Sequence, residues 1–384
     1  MVKSAEKLSV GFLFDDTLDS SDGVAQYVKT LGAWLSSQGH QVCYLVGETK
    51  IKSWADGRVY SLAKNQRVVF NGNRLSIPLP ARRDRIKQVL RENKFDVLHV
   101  QVPYSPFMAK KVIDAADAST AVVGTFHILP ANGLARAGSR ALRLLYGKSQ
   151  RRFDAMLSVS APAAEFARRV YGIRSQVLPN VVDINRFQKT QERRSGKPTI
   201  VFLGRLVERK GCRQLLKAFK QLNSRLPGAR LIIAGDGPQR RSLENYVRRN
   251  GLCQQVKFLG FIDEEAKPGL LAGADIACFP SLYGEAFGIV LIEAMAAGSG
   301  VVLGGDNSGY RSVLGDQPQL LIDPNDTEVF ARRLESLLSD RARIEGLHSW
   351  QQAEVRQYDI NAVGKRLVDI YRQAIAKRNR KGHN

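Results

Sequence analysis

The chain has 384 residues, and at roughly 150 residues per domain that length is too great for one ordinary core and points to two. It is 44% hydrophobic and 24% charged, and its formal charge of +22 favours polyanionic partners: nucleic acid, an anionic membrane face or a phosphorylated substrate. No apolar run reaches the ~18 residues of a membrane span, and MVKSAEKLSV at the start lacks the apolar core of a secretory signal.

Strand-like and helix-like segments then alternate along the sequence. LSVGFLF (8–14) is short, branched and aromatic, and predicts a strand. VAQYVKTLGAWLSSQGH (24–40) carries apolar residues at Val24, Tyr27, Val28, Leu31 and Leu35, a helical spacing closed by Gly39. QVCYLV (41–46), FDVLHV (95–100), AVVGTFH (121–127) and AMLSVS (155–160) repeat the buried-strand signature, with helices between them. The four cysteines, Cys43, Cys212, Cys253 and Cys278, are scattered without a CxxC pair and read as reduced thiols of a cytosolic protein.

The pattern restarts after residue 195. PTIVFLGRL (198–206), ARLIIAGDG (229–237), VKFLGFI (256–262), ADIACFPS (274–281) and GSGVVLGG (298–305) read as strands separated by helices. Between the halves, LPNVVDINRFQKTQERRSGK (178–197) has Pro179, many charges and no clear period, and reads as a linker. NAVGKRLVDIYRQAIAKR (361–378) reads as a closing helix and KRNRKGHN as a basic, frayed end. Such alternation means βαβ units, so two α/β domains are expected, 1–182 and 183–384, with the boundary inside 180–197. In open parallel sheets the ligand sits outside the carboxyl ends of the strands. Two such sheets facing each other would enclose a cleft suited to joining two substrates.

The most informative stretch is GEAFGIVLIEAMAAG (284–298), where Glu285 and Glu293 bracket an apolar run. A helix over Phe287–Ala297 would bury Ile289, Val290, Ile292 and Met295 and present unpaired N–H groups at its glycine-opened start. Glu285 would sit just before that helix, able to accept hydrogen bonds from hydroxyls, and Glu293 two turns in. FLGRLVERKG places Arg205 and Lys210 directly after a predicted strand, a prospective clamp for a diphosphate. GDGPQRRSL puts Gly235 and Gly237 in a strand-to-helix turn, where a ligand could approach the backbone, and SSDGVAQYV does the same with Gly23. His127 ends its strand and should emerge at the carboxyl edge of the sheet. His40, His99, His348 and His383 carry no partner pattern, and no HxH, HExxH or DxD signature is present, so no metal is expected.

Taken together, DGV near the start, TFH at 125–127, LPNVVDINRF, GRLVERKG, GDG and GEAFGIVLIEAMAAG resemble glycosyltransferase family 4 over nearly the whole chain, in order. FDVLHVQVPYSP and VVGTFH are similar to the bacterial phosphatidylinositol mannosyltransferases and related glycolipid synthases within it. The resemblance implies the GT-B fold: two Rossmann-like domains facing across a cleft, with a C-terminal helix closing back towards the first. It implies a retaining, metal-independent transfer from a nucleotide sugar, with no cofactor beyond that substrate. The catalytic set it implies is His127 near the bond being broken, Arg205 and Lys210 on the diphosphate, and Glu285 on the sugar hydroxyls. Gly23, Gly235, Gly237, Phe287 and Gly288 would line the donor, Phe261 and Ile262 would meet its base, and Glu293 would take the ribose. The first loop, FDDTLDSSDGV, departs from the mannosyltransferases, which have a tyrosine and a double glycine there. Asp16 and Thr17 would face the acceptor, and a DT pair is more like the diacylglycerol glucosyltransferases. GDP-mannose and UDP-glucose both remain as donors, and phosphatidylinositol and diacylglycerol as acceptors.

The positive charge also finds a use. RRDRIKQVLRENK (82–94), read as a helix, carries Arg82, Arg83, Arg85, Lys87 and Arg91, with Ile86, Val89 and Leu90 on another side. GLARAGSRALRLLYGKSQRR (133–152) holds Arg136, Arg140 and Arg143 without an acid, interleaved with leucines. Basic helices with apolar partners are the pattern of binding to anionic lipid, so a cytoplasmic enzyme peripheral on the inner membrane face is expected. The alternative is the same chemistry on a soluble or polyprenyl-linked saccharide. Nucleic acid is not expected as a partner, since no recognition module accompanies the charge.

Overall fold

The computed structural model describes residues 7–20, 22–70, 73–78, 81–103, 108–127, 149–188 and 196–381. The chain divides into two compact units, one of Met1–Val181 with Ile360–Asn384, the other of Val182–Asp359.

The first unit runs β1 (Ser9–Phe14), α1 (Gly23–Ser37), β2 (Gln41–Val46), β3 (Ser53–Trp54), β4 (Gly57–Ser61), β5 (Asn65–Phe70), β6 (Asn73–Pro78) and α2 (Arg83–Asn93). It continues with β7 (Val97–Gln101), α3 (Met108–Ala115), β8 (Ala121–Phe126), β9 (Ala155–Ser158), α4 (Ala161–Phe166) and β10 (Gln176–Val177). Eight strands form one sheet in the order β10-β9-β8-β7-β1-β2-β4-β3, parallel except for the β3–β4 pair. Every residue of β7 and β8 is buried, as continuous apolar strands covered on both faces require. The antiparallel β5–β6 hairpin stands as a separate two-stranded sheet.

In the second unit α5 (Ile184–Gln188), β11 (Thr199–Leu203), α6 (Cys212–Arg225), β12 (Arg230–Ala234), α7 (Arg240–Arg249) and β13 (Val256–Gly260) come first. There follow α8 (Lys267–Ala272), β14 (Ile276–Phe279), α9 (Ile289–Ala296), β15 (Val301–Gly305), α10 (Ser308–Leu314), β16 (Leu321–Ile322), α11 (Thr327–Ser339) and α12 (Arg341–Glu354). Its six strands are all parallel, in the order β13-β12-β11-β14-β15-β16. In both sheets the order reverses beside the first strand, between β1 and β7 and between β11 and β14. Those are the switch points at which doubly wound sheets bind ligands.

Two segments differ from the sequence-based expectation. The stretch 178–188 is not a loose linker, because Leu178, Val181, Val182 and Phe187 are buried and Ile184–Gln188 is helical; the remainder, 189–195, lies outside the described residues. The C-terminal helix spans Ile360–Lys381 and belongs to the first unit, so KRNRK is helical and anchored. Trp34 Nε1 donates to Asn361 Oδ1 at 2.9 Å, and Leu367, Tyr371 and Ala374 enter the same core as α1. Further along, Arg378 pairs with the fully buried carboxylate of Asp154 at 2.8 Å, and Lys377 Nζ donates to the Asp154 carbonyl. A buried charge without such partners would be costly, which is what holds the basic end in place.

Candidate functional site

Each unit carries its own set of polar groups at its switch point. In the second unit, β11 ends at Leu203, and Gly204 and Arg205 lead into a short turn, Glu208–Lys210. From the other side of the switch point, β14 ends at Phe279 and the chain runs through Ser281 to Glu285 before α9. Glu285 Oε1 accepts from Lys210 Nζ and from Arg209 Nη1, each at 2.8 Å. Burial by itself would raise the Glu285 carboxyl, but Lys210 and Arg209 outweigh it and hold it below the usual value, so it is ionised. Two cations thus converge on one carboxylate beside the start of α9. Arg205 lies exposed on the preceding loop. Arg209, which has no role in the sequence analysis, is the second cation on Glu285; its one signal is its place next to Lys210 in ERKG.

The helix expected over 287–297 begins later, at Ile289. Phe287 is buried with its ring against Tyr358, centroids 5.5 Å apart, so only its backbone can face a ligand. Gly288 caps the helix at φ 110°, and a Cβ there would lie 2.6 Å from the Tyr310 ring. Glu293 lies within α9 at 8% exposure. Its Oε1 is 3.5 Å from Lys267 Nζ, whose other partner is Glu264 Oε1 at 2.7 Å. Burial pushes the Glu293 carboxyl up, Lys267 opposes this and Glu264 adds to it, leaving it above its usual value. The two carboxylates of the motif are thus shifted in opposite directions, Glu285 below its usual value and Glu293 above it. Lys267 was not foreseen, because nothing local in EEAKPG ties it to a carboxylate 26 positions away.

Gly235 and Gly237 are placed differently from expectation. A Cβ on Gly235, whose φ is 131°, would sit 1.9 Å from the Gly204 carbonyl oxygen, and one on Gly237 would sit 2.6 Å from that of Leu206. These glycines let the loops after β11 and β12 lie against each other, with Leu206 N–H donating to the Asp236 carbonyl at 2.9 Å. Close backbone packing on the side a Cβ would take is what they allow. Phe261 stands 66% exposed after β13, and Ile262 beside it is half-buried.

In the first unit the loop after β1 holds Asp16 and Thr17, both half-buried. Asp16 Oδ1 accepts from the Thr17 N–H at 2.8 Å, while the neighbouring Asp15 is buried and accepts from the Ala109 N–H at the start of α3. Gly23 is the exposed first residue of α1, but the helix start is already occupied. The Asp22 carboxylate accepts from the N–H groups of Val24 at 2.9 Å and Ala25 at 3.0 Å. A phosphate reaching the same N–H groups must displace that carboxylate.

His127, just past β8, has its Nε2 2.7 Å from Gln101 Oε1 and its ring edge-on to Tyr27 at 4.8 Å between centroids. Burial lowers its pKa to about 3, so the ring is neutral. His99 is fully buried, with Nδ1 2.7 Å from the Tyr371 hydroxyl and Nε2 2.7 Å from Thr125 Oγ1. Its pKa is likewise lowered to about 3, by burial and by the His127 ring. Gln101, Tyr27 and His99 were not expected around His127; the strand HVQ (99–101) pairs in register with VGT (123–125), and that register is not written in either segment.

The basic helix α2 corrects one expectation. Arg82, Arg83, Arg85, Lys87 and Arg91 are all exposed, but Ile86 and Val89 are buried in the unit's own core and Leu90 packs against it. No apolar side of α2 is left over to enter a bilayer, so any attraction through it is electrostatic. Arg136, Arg140 and Arg143 lie outside the described residues. No helix among the described residues is long and apolar enough to cross a membrane.

The family model for glycosyltransferase family 4 matches residues 21–186, and the model for glycosyl transferases group 1 matches residues 183–355. The phosphatidyl-myo-inositol mannosyltransferase of Mycobacterium tuberculosis is 30% identical over 376 residues, spanning 95% of this chain and 96% of that one. The enzyme of the same name from Mycolicibacterium smegmatis is 29% identical over 371 residues, spanning 95% and 93%. Among solved structures, Anabaena HepE in complex with UDP and glucose matches with a TM-score of 0.74 at 17% identity, over 94% of this chain and 99% of that one. That is a likeness of fold, and the fold is GT-B, an α/β architecture of two Rossmann-like units.

Proposed function

The chain belongs to glycosyltransferase family 4, and we propose that it moves a hexose from a nucleotide sugar, GDP-mannose or UDP-glucose, to a membrane lipid such as phosphatidylinositol or diacylglycerol. The observation that carries this reading is Glu285, held ionised by Lys210 and Arg209 at the switch point of the second sheet. An ionised carboxylate accepts from hydroxyls of a sugar, and the two cations beside it suit a diphosphate. As the bond from the anomeric carbon to the phosphate oxygen breaks, negative charge builds on the diphosphate. Lys210 and Arg205 are the groups assigned to stabilise it. The acceptor oxygen bonds to the same carbon from the same face, its proton passing to the departing phosphate oxygen, so configuration is retained without a protein nucleophile. Glu293, raised above its usual value by burial and with a tenth of its side chain exposed, is assigned to the ribose hydroxyls. No metal is assigned to any of these steps.

The mannosyltransferase relatives support a lipid acceptor, and the exposed cations of α2 support attraction to an anionic surface. The commitment of Ile86 and Val89 to the core favours the second reading, a soluble or polyprenyl-linked saccharide acceptor, to the extent that docking needs an apolar face. The test is the purified chain with a panel of GDP- and UDP-sugars on liposomes of phosphatidylinositol or diacylglycerol, with and without EDTA. EDTA-resistant transfer of one hexose to one lipid, with the α-linkage of the donor kept, is expected. Nucleotide binding with silence on every liposome would sink the lipid acceptor, and loss of transfer in EDTA would sink the metal-free mechanism.

A further inference from the structure

His127 is fixed by a chain of hydrogen bonds whose directions can be worked out. Gln101 ends β7 and is fully buried. One end of its side-chain amide lies 3.3 Å from the backbone carbonyl oxygen of His99 and the other 2.7 Å from His127 Nε2. A carbonyl oxygen only accepts, so the end facing His99 must be the NH2 group. The end facing His127 is therefore the amide oxygen, which also only accepts. His127 Nε2 must then carry a hydrogen. The remaining question is whether Nδ1 carries one too, and the surroundings answer it. Among the described residues, the titratable groups set against the ring are Tyr27 from α1 and His99 from β7, and neither supplies a negative charge that would hold an imidazolium. Gln101, being neutral, supplies none either.

We infer that Gln101 is a positioning residue, which fixes His127 as the neutral Nε2–H tautomer so that Nδ1 is presented as a hydrogen-bond acceptor for a substrate hydroxyl. The part played by the hydroxyl rests on the glycosyl-transfer reading above; the tautomer does not. A ring free to take the other tautomer would present an N–H at Nδ1 and repel the donor hydrogen of the hydroxyl it should hold. The same strand register supplies a parallel case: His99 is held at both nitrogens by hydroxyls, from Thr125 and Tyr371, each of which can donate or accept, so nothing fixes its tautomer in the same way. Of these two rings, His127 is the one with a partner of fixed sense.

The test is nitrogen-15 NMR of the full chain labelled at histidine, in the absence of any nucleotide, with His127 assigned by its loss in His127→Gln. The wild-type ring should show Nε2–H and a lone pair at Nδ1 at pH 7 and stay so down to pH ~5. In Gln101→Met, which keeps the length and removes the acceptor, Nδ1–H signals should appear, with kcat down about tenfold, the equivalent of one neutral hydrogen bond, and little change in donor KM. In Gln101→Glu the added carboxylate should bring the titration of His127 towards neutral pH, and transfer should then recover as pH is raised. A wild-type ring carrying hydrogen at Nδ1, or an unchanged spectrum in Gln101→Met, overturns the inference, and the wild-type spectrum decides even where a variant does not fold. If the spectra follow expectation while no hexose is transferred, the inference about Gln101 stands and the functional reading falls.

Discussion

Glu285→Gln separates charge from shape at the centre of the second unit's site. Glutamine keeps the length and one acceptor oxygen and removes only the negative charge. Hydrogen bonds to a charged group contribute ~1.5–3 kcal/mol and neutral ones ~0.5–1.5, so each bond to a sugar hydroxyl weakens by ~1–1.5 kcal/mol. With two such bonds the loss is ~2–3 kcal/mol, or roughly 30- to 150-fold in kcat/KM. The substitution also leaves Lys210 and Arg209 without their shared counter-charge, at side-chain exposures of 19% and 16%. Breaking a fully buried pair costs ~3–5 kcal/mol; here residual water access should reduce this to ~1–3 kcal/mol of stability. The two effects differ in pH dependence. The Glu285 carboxyl is depressed below its ordinary 4.5, so its contribution to stability is present above 4.5 and lost as pH falls through the folded value. Urea unfolding at pH 7 and near pH 3, beside initial rates of hexose transfer at pH 7, measures both. Wild-type kcat/KM in a folded Glu285→Gln protein would refute the assignment of Glu285 to the sugar. An unfolding midpoint that shifts equally at both pH values would refute the ion pair's role in the fold.

Acid should destabilise the first unit through buried His99 and half-buried His127. With pKa values lowered to about 3, His99 and His127 favour the folded state above pH 6.5, and that stability is lost as pH falls from 6.5 towards 3. The slope should be ~1.4 kcal/mol per pH unit for each, and His99→Gln should remove one share; a urea midpoint flat from pH 7 to 5 would contradict the burial. Gly235→Ala places a methyl carbon 1.9 Å from the Gly204 carbonyl oxygen at φ 131°, and should cost at least ~2 kcal/mol in denaturant unfolding, where an exposed Gly→Ala costs nothing. On liposomes rich in anionic lipid, replacing Arg83, Lys87 and Arg91 by Gln removes ~1 kcal/mol each and should weaken sedimentation with vesicles by roughly 150-fold at low salt. Binding unchanged by that triple substitution would move the membrane surface elsewhere on the chain.

The alternation of strands and helices was legible because a parallel strand covered on both faces is mostly apolar, as β7, β8, β11 and β14 are apart from His99, Gln101, Thr125 and Thr199. Helix and strand type therefore followed from composition, as did the place of Glu285 just ahead of a helix. What local pattern cannot contain is the identity of a partner brought by another element. Arg209 looked like one charge among many until the fold set it on Glu285, and Gln101 acquires its meaning only from the register of β7 with β8. The same limit explains α2. Its spacing showed both a basic side and an apolar side, but not that the apolar side was already taken by the core. The late start of α9 has a similar origin, since Phe287 is drawn aside by Tyr358, far along the chain.

The membership of Ile360–Lys381 in the first unit has a consequence for synthesis. The second unit is one unbroken stretch, Val182–Asp359, opened and closed by neighbouring segments that meet in the Val182–Asp359 bridge. All of its residues precede the helix that completes the first unit. The first unit is incomplete until Tyr371, the partner of His99, and Arg378, the partner of Asp154, have been made, after the whole of the second. Until they emerge, the Asp154 carboxylate has only Arg152 and the Val122 N–H as partners among the described residues, and a face of α1 is uncovered. The half translated first is thus the half completed last, and its exposed core must be kept from neighbouring chains throughout elongation.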